Sequence, residues 1–156
     1  MTERDDSQGA PTQARQDWMG LLARAPEDEL AALWGKVAQR PAFDWLRPPE
    51  TGGVMVRGRT GATGSAFNLG EMTVTRCALA LGDGTVGHGY VQGRSRAKAE
   101  AAALIDAMMQ TDAADDLRRA VLEPLERNMA EARRTRAAKA AATKVDFFTM
   151  VRGEDA

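Results

Sequence analysis

The stretch Glu71–Arg94, EMTVTRCALALGDGTVGHGYVQGR, constrains the fold more than any other part of the chain. Met72 to Leu81 is an extended-looking run of Thr, Val, Cys and Leu, and Val86 to Val91 returns behind a Gly82-Asp83-Gly84 break. Two such runs around a short Asp-Gly turn predict a β-hairpin. Gln92-Gly93-Arg94-Ser95 then leads straight into an apolar-periodic segment, so strand, turn, strand and helix start meet within one stretch. The expected class is α+β, an antiparallel sheet packed with N-terminal helices and following long helices, with an extended apolar C-terminal segment.

Alternation sorts the first arm into two faces. Thr73, Thr75, Cys77, Leu79 and Leu81 share one, and Met72, Val74, Arg76, Ala78 and Ala80 share the other. Neither face is wholly polar, which predicts that both are covered, one by a helix and the other by a helix or a partner. Arg76 is a charge in an apolar row. Buried, it must be paired, because an uncompensated buried charge costs several kcal/mol. It is either an ion-paired structural residue or an anion ligand. The return arm carries the only histidine, His88, and the only tyrosine, Tyr90. His88 has no second ligand at metal spacing, so no metal residues are assigned. Its pKa range suits acid–base work, although an ordinary strand histidine is the simpler reading. Its neighbours Gly87 and Gly89 point to close approach of another backbone.

Ser95 is the expected N-cap of the next helix, carried by Lys98 to Met109. Ala97, Ala101, Leu104, Ile105, Met108 and Met109 form its apolar face. Arg94, Arg96 and Lys98 crowd its first turn, the wrong sign for the helix dipole unless an anion or an acidic partner offsets them. They form either solvated surface or, with free N–H groups, an anion site.

Upstream, Met1 to Thr12 is polar and is expected to be a disordered tail, residues 1–12, ahead of a single domain, residues 13–156. From Gln13, residues Ala14, Trp18, Leu21, Leu22 and Ala25 repeat at helical spacing. Pro26 with Glu27-Asp28-Glu29 starts a second helix whose stripe is Leu30, Leu33, Trp34 and Val37. Pro41 to Pro49, with Phe43 and Trp45, reads as a short extended segment closed by Pro48-Pro49, and Val54 to Arg59 as a separate strand. Thr60 to Ser65, TGATGS, lacks the Gly-Lys-Ser/Thr ending of a P-loop and reads as a hairpin connection. Asn68-Leu69-Gly70 reads as a bulge or kink.

Downstream, Pro124 must kink a helix or start one. Asn128 to Lys144 is alanine-rich and basic, a helix that projects from the domain as solvated surface or lies against another chain. Val145 to Gly153 is then apolar, with Phe147, Phe148, Met150 and Arg152 expected, like Trp18, to contact a partner.

Length and composition bound the function. The chain has 156 residues, enough to bury roughly 70% of its unfolded surface without metal or disulfide support. Net charge is −1, which argues for neither nucleic acid nor membrane as a partner. One cysteine excludes an internal disulfide and fits a cytoplasmic protein. No apolar run approaches the ~20 residues of a membrane span, and the N-terminus shows no apolar signal core. No catalytic constellation emerges. The residues favour an interaction subunit, ahead of a small anion- or nucleotide-binding domain and of an independent enzyme.

Several segments resemble the PhnG family of the bacterial carbon–phosphorus lyase core complex. They are Gln16-Asp17-Trp18-Met19, Glu50-Thr51-Gly52, Thr63-Gly64 with Phe67, Gly70 to Arg76, Asp83 to Gly87, Tyr90 to Arg94, Ala103 to Gln110 and Val145 to Gly153. The resemblance implies a role in organophosphonate catabolism. It implies a subunit of a multi-subunit transferase that moves the ribose 5-triphosphate moiety of ATP to an alkylphosphonate and releases adenine. Partners implied are PhnH-, PhnI-, PhnJ- and PhnL-like subunits in a hetero-oligomer. The nucleosidase activity is assigned to PhnI, and carbon–phosphorus cleavage to the radical enzyme PhnJ. No cofactor is implied for this chain alone; ATP and alkylphosphonate are substrates of the complex. The chain would be co-catalytic or non-catalytic, or purely structural in assembly. Catalytic residues are unassigned, and Arg76, Arg94 and Arg96 are the candidates for anion contact.

Overall fold

The computed structural model describes residues 9–145 apart from Ala62. Helix α1 spans Gly9–Arg24 and α2 Glu27–Gly35. Strands β1 (Phe43–Arg59), β2 (Ala66–Leu81) and β3 (Val86–Gln92) follow, then α3 (Arg96–Met108). The chain ends in α4 (Ala114–Leu117), a π-helical turn over Arg118–Leu122 and α5 (Glu123–Ala142). The strands form one antiparallel sheet in the order β1-β2-β3. This is the expected α+β class. Helix α1 starts at Gly9, ahead of the expected Gln13, and Pro26 is the N-cap of α2 rather than part of its first turn. Residues 146–156, with Phe147, Phe148, Met150 and Arg152, lie outside the described residues.

The central hairpin is tight. Asp83 Oδ1 accepts the Thr85 N–H at 2.9 Å, and Gly84 turns with φ +87°. Beyond it, α3 lies directly on β3. A Cβ on Gly87 would stand 2.0 Å from the Ala103 carbonyl oxygen, and one on Gly89 would stand 2.2 Å from that of Ala99. The approach of a second backbone expected from these glycines is therefore that of α3. Thr75, Cys77, Leu79, Leu81 and Val91 face the helix and are buried. Helices α1, α2 and α4 pack on its other side. Every residue from Lys98 to Met109 except the half-buried Glu100 is buried, while Ala97, expected on the apolar face, is exposed. The alanine-rich sequence of α3 suits a helix enclosed on two sides, because small side chains allow both layers to come close.

One buried carboxylate ties the layers together. Asp106 of α3 is fully buried. Its Oδ1 accepts from Arg15 Nε at 3.0 Å and Trp18 Nε1 at 2.9 Å, and its Oδ2 from the second Arg15 nitrogen at 2.7 Å and the His88 backbone N–H at 2.9 Å. The forked guanidinium matches the carboxylate bidentately, and Asp106 holds the Arg15 pKa above its usual value through this hydrogen bond. Helices α1 and α3 and strand β3 therefore meet at one charge.

One stretch differs from its sequence reading. Phe43–Arg59 is one strand, not two, because Pro48 and Pro49 sit at register shifts on the sheet's outer edge, where a missing N–H breaks no ladder bond. The second sheet face, expected to lie under a helix or a partner, is not under a helix of the described residues. Among the described residues no helix lies over Arg76, Ala78 and Ala80, whose short or charged side chains do not form a continuous apolar seam. The Leu69 bulge is present, since Val56 pairs with Gly70 and Arg57 with Asn68. Pro124 is accommodated by the π turn just before it. The turn relieves the clash that its ring would make with a helical carbonyl and keeps Val121, Leu122 and Leu125 in the core.

Two measurements check this packing. Gly87→Ala destabilises the chain by about 1–3 kcal/mol in urea denaturation, whereas Gly82→Ala, with open space at its Cβ, stays within about 0.5 kcal/mol of wild type. Asp106→Ala lowers stability by about 3–5 kcal/mol in the same assay, because it strands a guanidinium and a buried N–H.

Candidate functional site

The open sheet face carries the exposed polar groups of the strands. Cross-strand pairing puts Arg76 beside Tyr90 on one side and Glu50 on the other, with Ala78 next to His88 and Arg47. Arg76 is not buried: its side chain is 53% exposed, with Nε 3.9 Å from Glu50 Oε2. The same carboxylate oxygen is 3.9 Å from Arg47 Nε. Glu50 thus lies between two guanidiniums at a distance that leaves both free to turn. An ion pair this exposed contributes at most about 1 kcal/mol, so Arg76 keeps most of its capacity to take an anion. His88 points its side chain to the same open face, while its backbone N–H serves Asp106.

Arg94 and Arg96 lie elsewhere, in the turn that leaves β3 and the first residue of α3, and both are exposed. Gly93 sets this turn with φ +94°. The Ser95 cap is as expected, its Oγ accepting the Lys98 N–H at 3.1 Å. The third cation is turned inward. Lys98 Nζ donates to the carbonyls of Ala23 at 3.1 Å and Gln92 at 3.4 Å, closing the end of α1 onto the end of β3. Burial lowers the Lys98 pKa, and Glu27 works against that shift. The Glu27 carboxylate also accepts the Ser95 hydroxyl. An acidic side chain of this chain therefore offsets the cations at the helix start, leaving Arg94 and Arg96 as the outward pair. Arg76 belongs to the sheet face and these two to the rim at its end.

The other reactive group is withdrawn. Cys77 is buried beneath α3, where its Sγ donates to the Ala99 carbonyl at 3.2 Å. Burial pushes the thiol up to about 11, so it is protonated at neutral pH. Among the described residues no three His, Cys, Asp or Glu side chains come together as metal ligands, and no helix is long and apolar enough to cross a membrane. A concavity of about 450 Å³ is an open groove between α1 and the α4–α5 segment. Trp18, Leu21, Arg24, Arg118, Leu122 and Glu126 line it. Trp18, expected at a partner contact, is half-buried and gives its indole N–H to Asp106, with part of its ring left to the groove.

Sequence reasoning passed over Asp106 and Arg15. The signal was present: Asp106 is a lone acid inside the apolar run Ala103-Leu104-Ile105-Asp106-Ala107-Met108-Met109, and such an acid needs a buried cation or several N–H donors.

Comparison with known proteins is consistent along most of the chain. The family described as "Phosphonate metabolism protein PhnG" matches residues 13–153. A relative from Rhizobium meliloti (strain 1021), "Alpha-D-ribose 1-methylphosphonate 5-triphosphate synthase subunit PhnG", is 44% identical over 149 residues, 96% of each chain. The match takes in the N-terminal helices, the sheet, the buried helix α3 and α5 alike, and the chain belongs to the PhnG family.

Proposed function

We propose that this chain is a subunit of the synthase that makes alpha-D-ribose 1-methylphosphonate 5-triphosphate, joining the ribose 5-triphosphate part of ATP to an alkylphosphonate with release of adenine. The observation that carries this reading is the end-to-end likeness to a relative named as a subunit of that synthase. The chain works in a hetero-oligomer with PhnH-, PhnI-, PhnJ- and PhnL-like subunits in the cytoplasm. Its own part is assembly, with a contribution of positive charge to a site shared with a neighbour. Supporting this, its one thiol is buried and protonated, the groove beside Trp18 is open to solvent, and the guanidiniums of Arg76, Arg94 and Arg96 face outward.

Both ATP and a phosphonate present anionic oxygens, and Arg94 and Arg96 are the groups best placed to meet them, with Arg76 on the adjoining face. A hydrogen bond to a charged group contributes about 1.5–3 kcal/mol. In a reconstituted complex, Arg94→Ala raises the KM for ATP or phosphonate about tenfold or more, measured as adenine release, while the complex still assembles. Lys at this position restores little if the contact is bidentate. An unchanged KM removes Arg94 from the site. The C-terminal segment is expected to hold partners: a chain lacking residues 145–156 folds but is not recovered with its sister subunits in affinity purification. Normal recovery of the truncated chain overturns that assignment.

A further inference from the structure

Burying a polar side chain is costly unless a hydrogen bond offsets it, so the points that such groups serve are informative. Among the described residues three polar or charged side chains are buried: Asp106, Lys98 and Thr75. Asp106 ties α3 to α1 and β3. The other two both reach one short turn, Gln92 to Ser95, which leaves β3 and carries Arg94.

Thr75 lies on the helix-facing side of β2, opposite Thr51 on one neighbouring strand and Val91 on the other. Its Oγ1 donates to the Gly93 carbonyl at 2.8 Å. A hydroxyl has one hydrogen to give, so in the 3.1 Å contact between the two threonine hydroxyls Thr51 is the donor. The bonds therefore run in one direction, from Thr51 through Thr75 to Gly93, and the Thr51 hydrogen keeps the Thr75 hydroxyl aimed at that carbonyl.

The neighbours of Arg94 are fixed on both sides. Lys98 Nζ reaches the Gln92 carbonyl at 3.4 Å. Gly93 gives its N–H to the Thr73 carbonyl at 2.9 Å, takes the Thr75 hydroxyl on its own carbonyl, and turns with φ +94°. Ser95 Oγ accepts the Lys98 N–H and donates to Glu27. Arg94 stands between them with its side chain exposed. Packing alone does not call for the Thr75 hydroxyl. Helix α3 is already seated on Gly87 and Gly89 and locked by Asp106, and valine has nearly the shape of threonine without a polar atom to bury. Gly93 is exposed, so solvent can serve its carbonyl. What the hydroxyl adds is the orientation of the peptide from which Arg94 projects.

We infer that Thr75 is a positioning residue: its hydroxyl, oriented by Thr51, fixes the Gly93 peptide and so aims the Arg94 guanidinium at the anionic oxygens of the substrate. This rests on the reading of the chain as a synthase subunit with Arg94 at the shared site, and it names the device that holds Arg94 ready. A side chain carried by a fixed backbone has less freedom to lose on binding than one carried by a mobile turn.

The test uses the reconstituted complex, with adenine release as the assay. Thr75→Val raises the KM for ATP or phosphonate about fivefold, the worth of one ordinary hydrogen bond, while kcat per assembled complex is unchanged. Thr75→Ser, which keeps the hydroxyl, leaves KM at the wild-type value. In a chain that already carries Arg94→Ala, Thr75→Val raises KM no further, because the residue it positions is gone. A merely structural threonine lowers the unfolding temperature and the yield of complex but leaves KM alone. Where Thr75→Val fails to fold, Gly93→Ala decides: its Cβ meets open space, but φ +94° disfavours it and turns the peptide away from Thr75. It too raises KM only while Arg94 is present. If Arg94→Ala raises KM but these variants leave it unchanged, or raise it equally with and without Arg94, the positioning role is overturned and Arg94 stays in the site. An unchanged KM in Arg94→Ala overturns both assignments. Wild-type chain that adds nothing to adenine release by its sister subunits overturns the subunit reading itself.

Discussion

Helix α3 rests on a strand without side chains between them at two positions, and the rest of the molecule depends on that contact. The two glycines of β3 let carbonyl groups of the helix come down onto the strand. Any larger residue would lift the helix by the thickness of a methyl group or force a lateral shift. Lifting it would open the layer that buries Leu79, Val91 and Ile105 and would pull Asp106 away from the His88 N–H. Because interiors are close-packed, such a displacement is not absorbed locally.

The Asp106 cluster adds direction to this packing. Hydrophobic contact holds layers together but permits sliding, whereas a carboxylate on α3 that takes four hydrogen bonds from α1 and β3 fixes the relative position of all three elements. Lys98 makes a second fixed point at the opposite end of α3, where it joins the last turn of α1 to the end of β3. Between them, these polar anchors orient α1 and hold the turn that presents Arg94 and Arg96. The outward arginines therefore rest on a rigid base, although their own side chains are free.

Local chemistry made much of the fold legible in the sequence. The Asp83-Gly84 turn, the Ser95 cap and the small-residue connection Thr60 to Ser65 each follow from residues that act on their immediate neighbours. Contacts distant in sequence were not legible in the same way. Whether Pro48-Pro49 interrupts a strand depends on which edge of the sheet it occupies, and no short stretch records that. The sidedness of β2 is a similar case: Ala78 and Ala80 look like core residues until it is known that no helix among the described residues lies over them. Of the candidate arginines, exposure and place could be determined only in three dimensions, and Arg76 proved to lie on a different surface from Arg94 and Arg96. The family, by contrast, was readable from dispersed segments, because their order along the chain is itself information.

The buried sulfur of Cys77 has a kinetic meaning. It lies under α3, bonded to the Ala99 carbonyl at the place where the helix meets Gly89. A reagent in solvent reaches it only when that helix leaves the sheet, and the thiol must then ionise before it can react. The rate at which a thiol reagent labels the native chain is therefore a clock for the opening of α3. Slowing of that clock when other proteins bind would register their grip on the fold from the inside, without any probe being added.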